Sequence, residues 1–435
     1  MDDEVDQVAP LSDSPEPNPQ MGFGEFADTL ARMIRTAGQS PLTIGVFGRY
    51  GSGKTTLINA IADRLRKEQG QGSVVVVRFD AWRYDHEPHL FLPFLARLAK
   101  QKEIAGADGR TAELSRAFRS FLAGFTLKFP VFDFSSKDVL ARETELKQLE
   151  AGDLARLTSA YEDITQCLRK LTDGTDGTPR RIVVFIDDLD RCLPGKAFAL
   201  LEAIKAMTDI PGFAYVLGLD PRAISTYVIA KYGTEFVAPK EYLEKMFQVP
   251  FHLPRPTSDQ IAEVPRRLLA DVKSRCSPET WSDEMLSILE DKWDRLPANV
   301  RQVKRILNTH HGIAAARAKS EKPVNMRVLF GLLLIQTRWP GAYWVIQTYR
   351  RDFHRLIEMY DRGSPEKKSS QLLQRGAGAK EDLQDKGFQD VYKSFVYAGE
   401  RPTTTQALEL LDWTGWPIDV DMKLKEKAGQ CSDRS

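Results

Sequence analysis

The sequence predicts an α/β protein: a mostly parallel sheet with covering helices, followed by a mostly α-helical C-terminal region. Three observations lead to this prediction. From about residue 42 to 254, short β-branched apolar runs alternate with helix-like patterns. Glycine-rich turn chemistry follows the first run. Beyond about residue 256 the strand-like runs stop, and the remaining pattern is helical.

Four runs are predicted to be strands of this sheet. The first is LTIGVF, and the second, VVVVRF, ends at Asp80. The third, IVVFI, is apolar throughout, as expected for a central strand that is buried on both faces. The fourth, FAYVLGLD, ends at Asp220. After the first strand, TTLINAIADRL is predicted to be a helix with four apolar residues on one face: Leu57, Ile58, Ile61 and Leu65.

Composition limits the classes of function. The 61 Lys and Arg nearly cancel the 60 Asp and Glu, so a nucleic-acid partner is not indicated. The four cysteines are scattered without a C-x-x-C pair, which argues against a disulfide framework or a zinc site and favours a reducing cytoplasm. The apolar stretches are shorter than the roughly 20 residues that span a bilayer, so no integral membrane segment is expected.

The pattern also predicts the organisation of the chain. An acidic, proline-rich N-terminal tail has a composition typical of disorder. A long insertion separates the second and third strands, and its latter part, residues 139–171, reads as an amphipathic helix. The predicted divisions are a tail at 1–22, a core at 23–255 with a helical insertion at about 101–180, helical segments at 256–320 and 321–425, and a polar tail at 426–435.

A phosphate-binding motif follows the first strand. GRYGSGKT satisfies G-x-x-x-x-G-K-[ST], and its place between a predicted strand and a predicted helix argues against a chance match. Backbone N–H groups and the helix N-terminus favour phosphate oxygens, and glycines permit their close approach. Lys54 is expected to reach the β- and γ-phosphates, and the Thr55 hydroxyl to bind Mg²⁺. The predicted nucleotide-binding residues here are Gly48, Arg49, Tyr50, Gly51, Ser52, Gly53, Lys54, Thr55 and Thr56.

Further carboxylates follow the third and fourth strands, at the edge where α/β sheets bind ligands. Asp187 is positioned to hold Mg²⁺, directly or through water. Asp188 is the candidate to polarise the attacking water; the alternative is a helix N-cap. Asp190 and Arg191 either form a local ion pair or act at the nucleotide. Asp220 either senses the γ-phosphate or caps the helix that follows it.

Six segments, in order, resemble the KAP family of P-loop NTPases, a branch of the STAND/AAA+-related ATPases. They are GVFGRYGSGKTTL, VVRFDAWRY, VVFIDDLDRC, YVLGLDPRAI, YLEKMFQVPFHLP and NVRQVKRILNTH, and together they span about residues 42–310. The first and third, the Walker A and Walker B motifs, specify only a P-loop ATPase, whereas the whole series is specific. The resemblance implies an additional-strand ATPase sheet with a helical lid over 256–320. It also implies ATP as the nucleotide, and oligomerisation or conformational switching as the output.

The resemblance also extends to individual residues. It implies that Lys245 contacts the nucleotide or a neighbouring subunit, although a surface lysine fits equally well. Trp82 is expected to be a packing residue, while Arg83 and Tyr84 are left open. The implied phosphate-facing basic group of the lid, for which a solvated helix face is the alternative, comprises Arg301, Lys304 and Arg305.

Many members of that family carry transmembrane helices between the two phosphate motifs. Here the corresponding insertion contains only a phenylalanine-rich stretch, residues 118–134, so a cytoplasmic protein is expected. Peripheral contact of those aromatic residues with a membrane is the alternative.

Other classes of protein are recognised by their own sequence motifs. The N-K-x-D base reader of GTPases and the L-S-G-G-Q motif of transporter ATPases are absent from the sequence, which favours ATP over GTP. An R-x₄-H spacing that ends at His310 raises the alternative of a ribonuclease. A further alternative is a nucleotide-dependent switch or scaffold with negligible hydrolysis on its own. The insertion and the helical C-terminal region are the expected surfaces for a homo-oligomer or a protein partner, and analogy suggests a role in bacterial defence against phage.

Overall fold

The computed structural model describes residues 11–15, 22–67, 74–101, 151–172, 179–232, 238–254, 299–317, 325–350, 353–361, 378–396 and 410–411. The chain forms two compact units. The sheet unit is Pro15–Arg255, and the helical unit combines Met1–Ser14 with Pro256–Ser435. The aromatic stretch at 118–134, the start of the amphipathic segment before residue 151 and the polar C-terminal tail lie outside the described residues.

The described residues of the sheet unit contain one sheet, whose strands are β1 (Leu42–Phe47), β2 (Val74–Asp80), β3 (Arg181–Asp187), β4 (Phe213–Leu219) and β5 (Val249–His252). The strand pairings are all parallel, in the order β2-β3-β4-β1-β5. This topology confirms the predicted fold class, because β4 is the additional strand between β3 and β1, which leads into the phosphate loop.

The first four strands match the predicted runs closely, whereas no pattern predicted β5. Its four residues alternate between half-buried and exposed, and it contains Pro250, which has no N–H to donate to a ladder. Proline is confined to the edges of sheets for that reason. Among the described strands, β5 pairs with β1 alone, as an edge strand does.

Helices cover both faces of this sheet. The predicted apolar face of α2, the helix Lys54–Lys67, is confirmed, since its four apolar residues are at most 2% exposed. Apolar side chains of β3 alternate between two clusters, with Val184 and Ile186 on one face and Val183 and Phe185 on the other. Each such buried side chain contributes about 1.5–3 kcal/mol, which makes the sheet a rigid frame for the loops at its edge. The helices are α1 (Phe23–Thr36), α2 (Lys54–Lys67), α3 (Phe91–Ala99), α4 (Ala151–Thr172), α5 (Pro194–Met207), α6 (Pro221–Tyr232) and α7 (Pro239–Met246).

The helical unit has its own apolar core, which confirms the predicted helical C-terminal region. Its central helix, α9 (Met326–Arg338), buries eight consecutive residues, from Val328 to Ile335. Asn325 caps its N-terminus by accepting a hydrogen bond from the Val328 amide at 3.1 Å. In the described part of the chain, no helix is both long and apolar enough to cross a membrane. The helices are α8 (Val300–Arg317), α9 (Met326–Arg338), α10 (Pro340–Thr348), α11 (Phe353–Asp361), α12 (Ala379–Gln384) and α13 (Lys386–Val391), and a π-helical turn follows at Tyr392–Val396.

A short N-terminal segment packs onto α8. The Asn308 side-chain amide bonds both backbone groups of Leu11, accepting from its N–H at 2.7 Å and donating to its carbonyl at 2.9 Å. Lys304 donates to the Ser12 carbonyl at 2.9 Å, and the Leu11 side chain is buried. The described residues 11–15 thus differ from the disorder predicted for residues 1–22, because composition does not reveal a partner that lies 297 residues away.

Candidate phosphate-binding site

The loop between β1 and α2 has a backbone that glycine suits. Gly51 and Gly53 have φ angles of 75° and 99°, which L side chains rarely adopt. A Cβ on Gly53 would lie 2.5 Å from the Phe23 ring of α1, and one on Gly48 would collide with the Ser52 hydroxyl. The three glycines therefore leave room for the loop to curl, while α1 supports it from outside.

Lys54 begins α2, and its ammonium group turns back into the loop. The Nζ atom donates to the Gly48 carbonyl at 3.0 Å and lies 3.4 Å from the Arg49 carbonyl. It also forms an ion pair with Asp190, at 3.1 Å from Oδ2. Arg49 and Tyr50 are exposed, while Thr55 and Thr56 are half-buried in the first turn of the helix. The predicted phosphate-binding residues therefore form one continuous loop and helix start.

Asp187 ends β3 beside this helix start. The Thr55 side chain lies beside its carboxylate, and the Asp188 amide donates a hydrogen bond to Oδ1 at 3.0 Å. Burial raises the pKa of Asp187, and the neighbouring Thr55 hydroxyl and Asp188 amide oppose the increase. The structure thus brings together Thr55 and Asp187, the two residues predicted to bind Mg²⁺.

Gly218 of β4 is a site residue that the sequence analysis missed. A Cβ on Gly218 would lie 2.6 Å from Asp187 Oδ1 and 2.7 Å from Ile58 Cδ1. Because Gly218 has no side chain, the Asp187 carboxylate has room beside β4. An isolated glycine inside a strand pattern often marks such a close approach, so YVLGLD carried a usable indication.

Asp188 has a strained backbone and a perturbed carboxyl group. Its φ of 56° is the one positive value among the described non-glycine residues. Burial and, after it, the Asp187 carboxylate raise its pKa to about 6, against the opposing effect of Arg191. Arg191 Nε lies 2.8 Å from Asp188 Oδ1, at ion-pair distance but without the angle of a hydrogen bond. The Asp188 side chain makes no capping hydrogen bond to the short helical turn that follows, Leu189–Arg191, so the N-cap alternative gains no support.

Asp190 and Arg191 do not pair with each other. Asp190 Oδ2 bonds Lys54 and also accepts the Asp220 amide at 2.9 Å. The Arg191 guanidinium lies 5.2 Å from the ring centres of both Tyr50 and Trp82, which is within cation–π range. Trp82 was expected to be a packing residue but is 54% exposed, because its ring covers this arginine rather than the core.

Asp220, Lys245 and the basic residues of α8 complete the predicted set. The Asp220 carboxylate accepts the Arg222 amide at 2.9 Å, as its helix-capping alternative requires. Lys245 is exposed on α7. In the helical unit, Arg301 Nε and Arg305 Nη2 lie 3.7 Å and 3.6 Å from Asp13 Oδ2.

His310, the candidate nuclease histidine, is fully buried in the helical unit. Its Nε2 lies 3.1 Å from the Met326 carbonyl. Burial also lowers its pKa to about 4, so the ring is neutral at physiological pH. A histidine in this setting does not reach an RNA backbone, which argues against the ribonuclease alternative.

The site suits a magnesium nucleotide. The loop carries the Lys54 ammonium and a buried Ser52 hydroxyl that has no hydrogen-bond partner among the described residues. Thr55 and Asp187 present oxygen ligands, the type that Mg²⁺ prefers, and Mg²⁺ at such sites keeps water and phosphate oxygens in its remaining positions. The residues present therefore fit this group.

This chain is similar to several known proteins. The model of the KAP family P-loop domain matches residues 23–315. The phage T7 exclusion protein of Escherichia coli (strain K12) is 25% identical over 253 residues, which cover 55% of this chain and 34% of that protein, so the match spans about a third of its length. Two solved structures from Aeropyrum pernix are similar: the ORC2 protein in ADPNP–ADP complexes (15% identity, TM-score 0.42, 98% of each chain covered) and the ORC1 protein with DNA (14%, 0.41, 93% of this chain and 96% of that one).

Proposed function

Since the chain belongs to the KAP family of P-loop proteins, we propose that it binds ATP with Mg²⁺ and hydrolyses it, coupling the state of the nucleotide to oligomerisation or to a protein partner. The observation that carries the proposal is the meeting of Lys54 with the Thr55–Asp187 pair at one edge of the sheet. Asp188 lies directly beside this pair. Phosphoryl transfer to water uses a phosphate-binding loop, oxygen ligands for a cation and a carboxylate whose pKa lies close to the operating pH.

Each residue has a defined part in this proposal. Loop amides and Lys54 hold the β- and γ-phosphates, and Thr55 and Asp187 hold Mg²⁺, which neutralises charge on the phosphate oxygens when bound. Asp188 orients a water and withdraws its proton. Burial brings the pKa of Asp188 to about 6, closer to the operating pH than that of an ordinary carboxyl group, which suits a general base.

Hydrolysis of ATP by purified protein tests these roles. Lys54→Ala is expected to lower turnover about 100-fold or more, because it removes a preorganised positive charge from the transferred phosphoryl group. Asp188→Asn is expected to lower kcat by about 10²- to 10⁴-fold while Mg-ATP still binds. Lys67→Ala, at the exposed end of the same helix, and Asp209→Asn, on an exposed turn, are matched controls and should behave like wild type. Wild-type turnover by Asp188→Asn would remove Asp188 from the mechanism.

A second candidate is a nucleotide-dependent switch or scaffold with negligible hydrolysis on its own. The observation that favours it is the 2.8 Å ion pair between Asp188 and Arg191, since a carboxylate held by a cation is a weaker base. Turnover would then need a partner or a neighbouring subunit that draws Arg191 away. Molar mass measured by light scattering with ATP, ADP or a non-hydrolysable analogue separates the two functions. A change in mass with ATP but no phosphate release supports the switch.

The lid and sensor residues are part of the same proposal. Arg301 and Arg305 are proposed to contact phosphates, and Asp220 to sense the γ-phosphate. Both arginines lie near Asp13, so Asp13→Asn should strengthen nucleotide binding if they serve the phosphates. Alanine at either arginine should weaken it. Unchanged affinity in all three variants would leave these arginines with the role of holding the N-terminal segment.

The biological process is proposed from the relative's name. We propose a role in excluding phage, as the name of the Escherichia coli protein states for that relative, and a cytoplasmic location, as the cysteine usage and short apolar stretches of the sequence suggest. Plaque counts of phage T7 on cells that express the wild-type chain, Lys54→Ala or Lys67→Ala test it. Protection by wild type and Lys67→Ala but not by Lys54→Ala is the expected pattern. Sedimentation with liposomes tests the peripheral-membrane alternative.

A further inference from the structure

The Lys54 ammonium is shared between the phosphate loop and a carboxylate outside the motif. Its three protons face three acceptors: the Gly48 carbonyl at 3.0 Å, the Arg49 carbonyl at 3.4 Å and Asp190 Oδ2 at 3.1 Å. The Lys54 and Asp190 side chains are only 8% and 9% exposed. Their attraction is therefore weakly screened, and water does not readily replace either partner.

Asp190 is itself held in place from the neighbouring strand and helix. The same Oδ2 atom accepts the Asp220 amide at the end of β4, at 2.9 Å. The Tyr227 hydroxyl of α6 donates to the Asp190 carbonyl at 3.1 Å and to the Cys192 carbonyl at 3.2 Å. The carboxylate thus presents a fixed negative charge to Lys54, beside the loop.

We propose that Asp190 competes with the nucleotide's terminal phosphates for Lys54 and thereby lowers the affinity of the site for ATP. The inference rests on the proposed function, because it assumes that the loop binds a triphosphate. A phosphate oxygen that bonds the Lys54 ammonium displaces Asp190 or shares the ammonium with it, and in either case two like charges approach each other. Asp190 is a positioning residue in this account, since it acts through Lys54.

Asp190→Asn tests the competition, because it removes the charge but keeps an oxygen that can accept the Asp220 amide. The dissociation constant of a fluorescent ATP analogue with Mg²⁺ should fall at least about tenfold, the net worth of a hydrogen bond to a charged group. Asp190→Glu, which restores the charge, should return the dissociation constant toward the wild-type value. Asp80→Asn removes a carboxylate from the same edge of the sheet that does not contact Lys54, and should change the constant less than about threefold.

The dependence on Lys54 is tested by combining the changes. In a Lys54→Ala background, Asp190→Asn should leave the affinity unchanged, because the contested ammonium is gone. Tightening in both backgrounds would overturn the competition and indicate a general effect of charge. Unchanged or weaker binding by Asp190→Asn in the wild-type background would also overturn it, since a merely structural role predicts weaker binding.

Two further results keep the test decisive. If Asp190→Asn does not melt cooperatively, Asp190→Ser, which is smaller and also uncharged, takes its place with the same expected tightening. If the wild-type protein binds no ATP analogue at millimolar concentration, the proposed function fails and the inference fails with it. If wild type binds and the uncharged variants do not bind tighter, the inference alone fails.

Discussion

Gly218→Ala is expected to disrupt the proposed Mg²⁺ site from the neighbouring strand. The added Cβ would lie 2.6 Å from Asp187 Oδ1 and 2.7 Å from Ile58 Cδ1, against about 3.5–4.0 Å at an optimal contact. Because β3 and β4 are buried on both faces, the strands have little room to separate. Overpacking of this kind costs about 1–3 kcal/mol.

The strain should be relieved mainly by movement of the Asp187 carboxylate, because a side chain rotates more easily than the packed strands separate. This carboxylate accepts the Asp188 amide and lies beside Thr55, so its rotation removes that hydrogen bond and separates the two proposed Mg²⁺ ligands. We therefore expect the Mg²⁺-dependent part of the ATP affinity to fall at least about tenfold, which corresponds to about 1.4 kcal/mol. The melting temperature should fall by about 2–4 °C for each kcal/mol of strain in a domain of this size.

Titration of a fluorescent ATP analogue with Mg²⁺ and with EDTA, together with thermal melting, measures both effects. Gly312→Ala in α8 is the matched control, because a Cβ there meets nothing within 4 Å and the helix should gain about 0.5–1 kcal/mol. A Gly218→Ala protein that keeps the full Mg²⁺-dependent increase in ATP affinity and melts like wild type would show that the added Cβ does not displace the Asp187 carboxylate.

Three further predictions concern other parts of the molecule. The kcat/KM for hydrolysis should fall as the pH drops through about 6, because Asp188 must be ionised to act as a base. Arg191→Gln removes the cation that lowers the pKa of Asp188, so in steady-state assays the acid limb should move to higher pH. Asn308→Ala should lower the free energy of unfolding of the helical unit by about 1–3 kcal/mol, seen as a lower denaturation midpoint, because it removes both hydrogen bonds to Leu11. Phe23→Ala should cost about 3–5 kcal/mol in thermal melts and weaken ATP binding, since its ring supports a glycine of the phosphate loop.

Each of these has a result that would contradict it. The ionisation of ATP itself is the same in assays of the wild type and of Arg191→Gln. An acid limb that does not move in Arg191→Gln would therefore exclude Asp188 as the titrating group. An unchanged midpoint for Asn308→Ala would mean that the N-terminal segment adds nothing to the stability of the helical unit. Wild-type affinity in a folded Phe23→Ala protein would show that the loop needs no support from α1.

Much of the fold and the phosphate loop followed from local sequence. The strand runs and the buried face of α2 were predictable because backbone geometry links apolar periodicity to burial. The edge strand β5 was missed, since a half-exposed strand that contains Pro250 has neither a continuous apolar run nor a full set of ladder donors. The pattern also did not predict that residues 11–15 pack on α8, because their partners are distant in the chain.

Local sequence was enough to predict the type of site: a glycine loop with Lys54 and Thr55, and carboxylates at the ends of strands. These features are local, since a strand, a turn and the start of a helix place their own side chains. The contacts between distant residues depend on the tertiary structure: Lys54 with Asp190, Arg191 with Asp188 and the rings beside it, and Gly218 against Asp187. The order and register of the strands bring these residues together, and both arise from packing of the whole sheet rather than from any one segment.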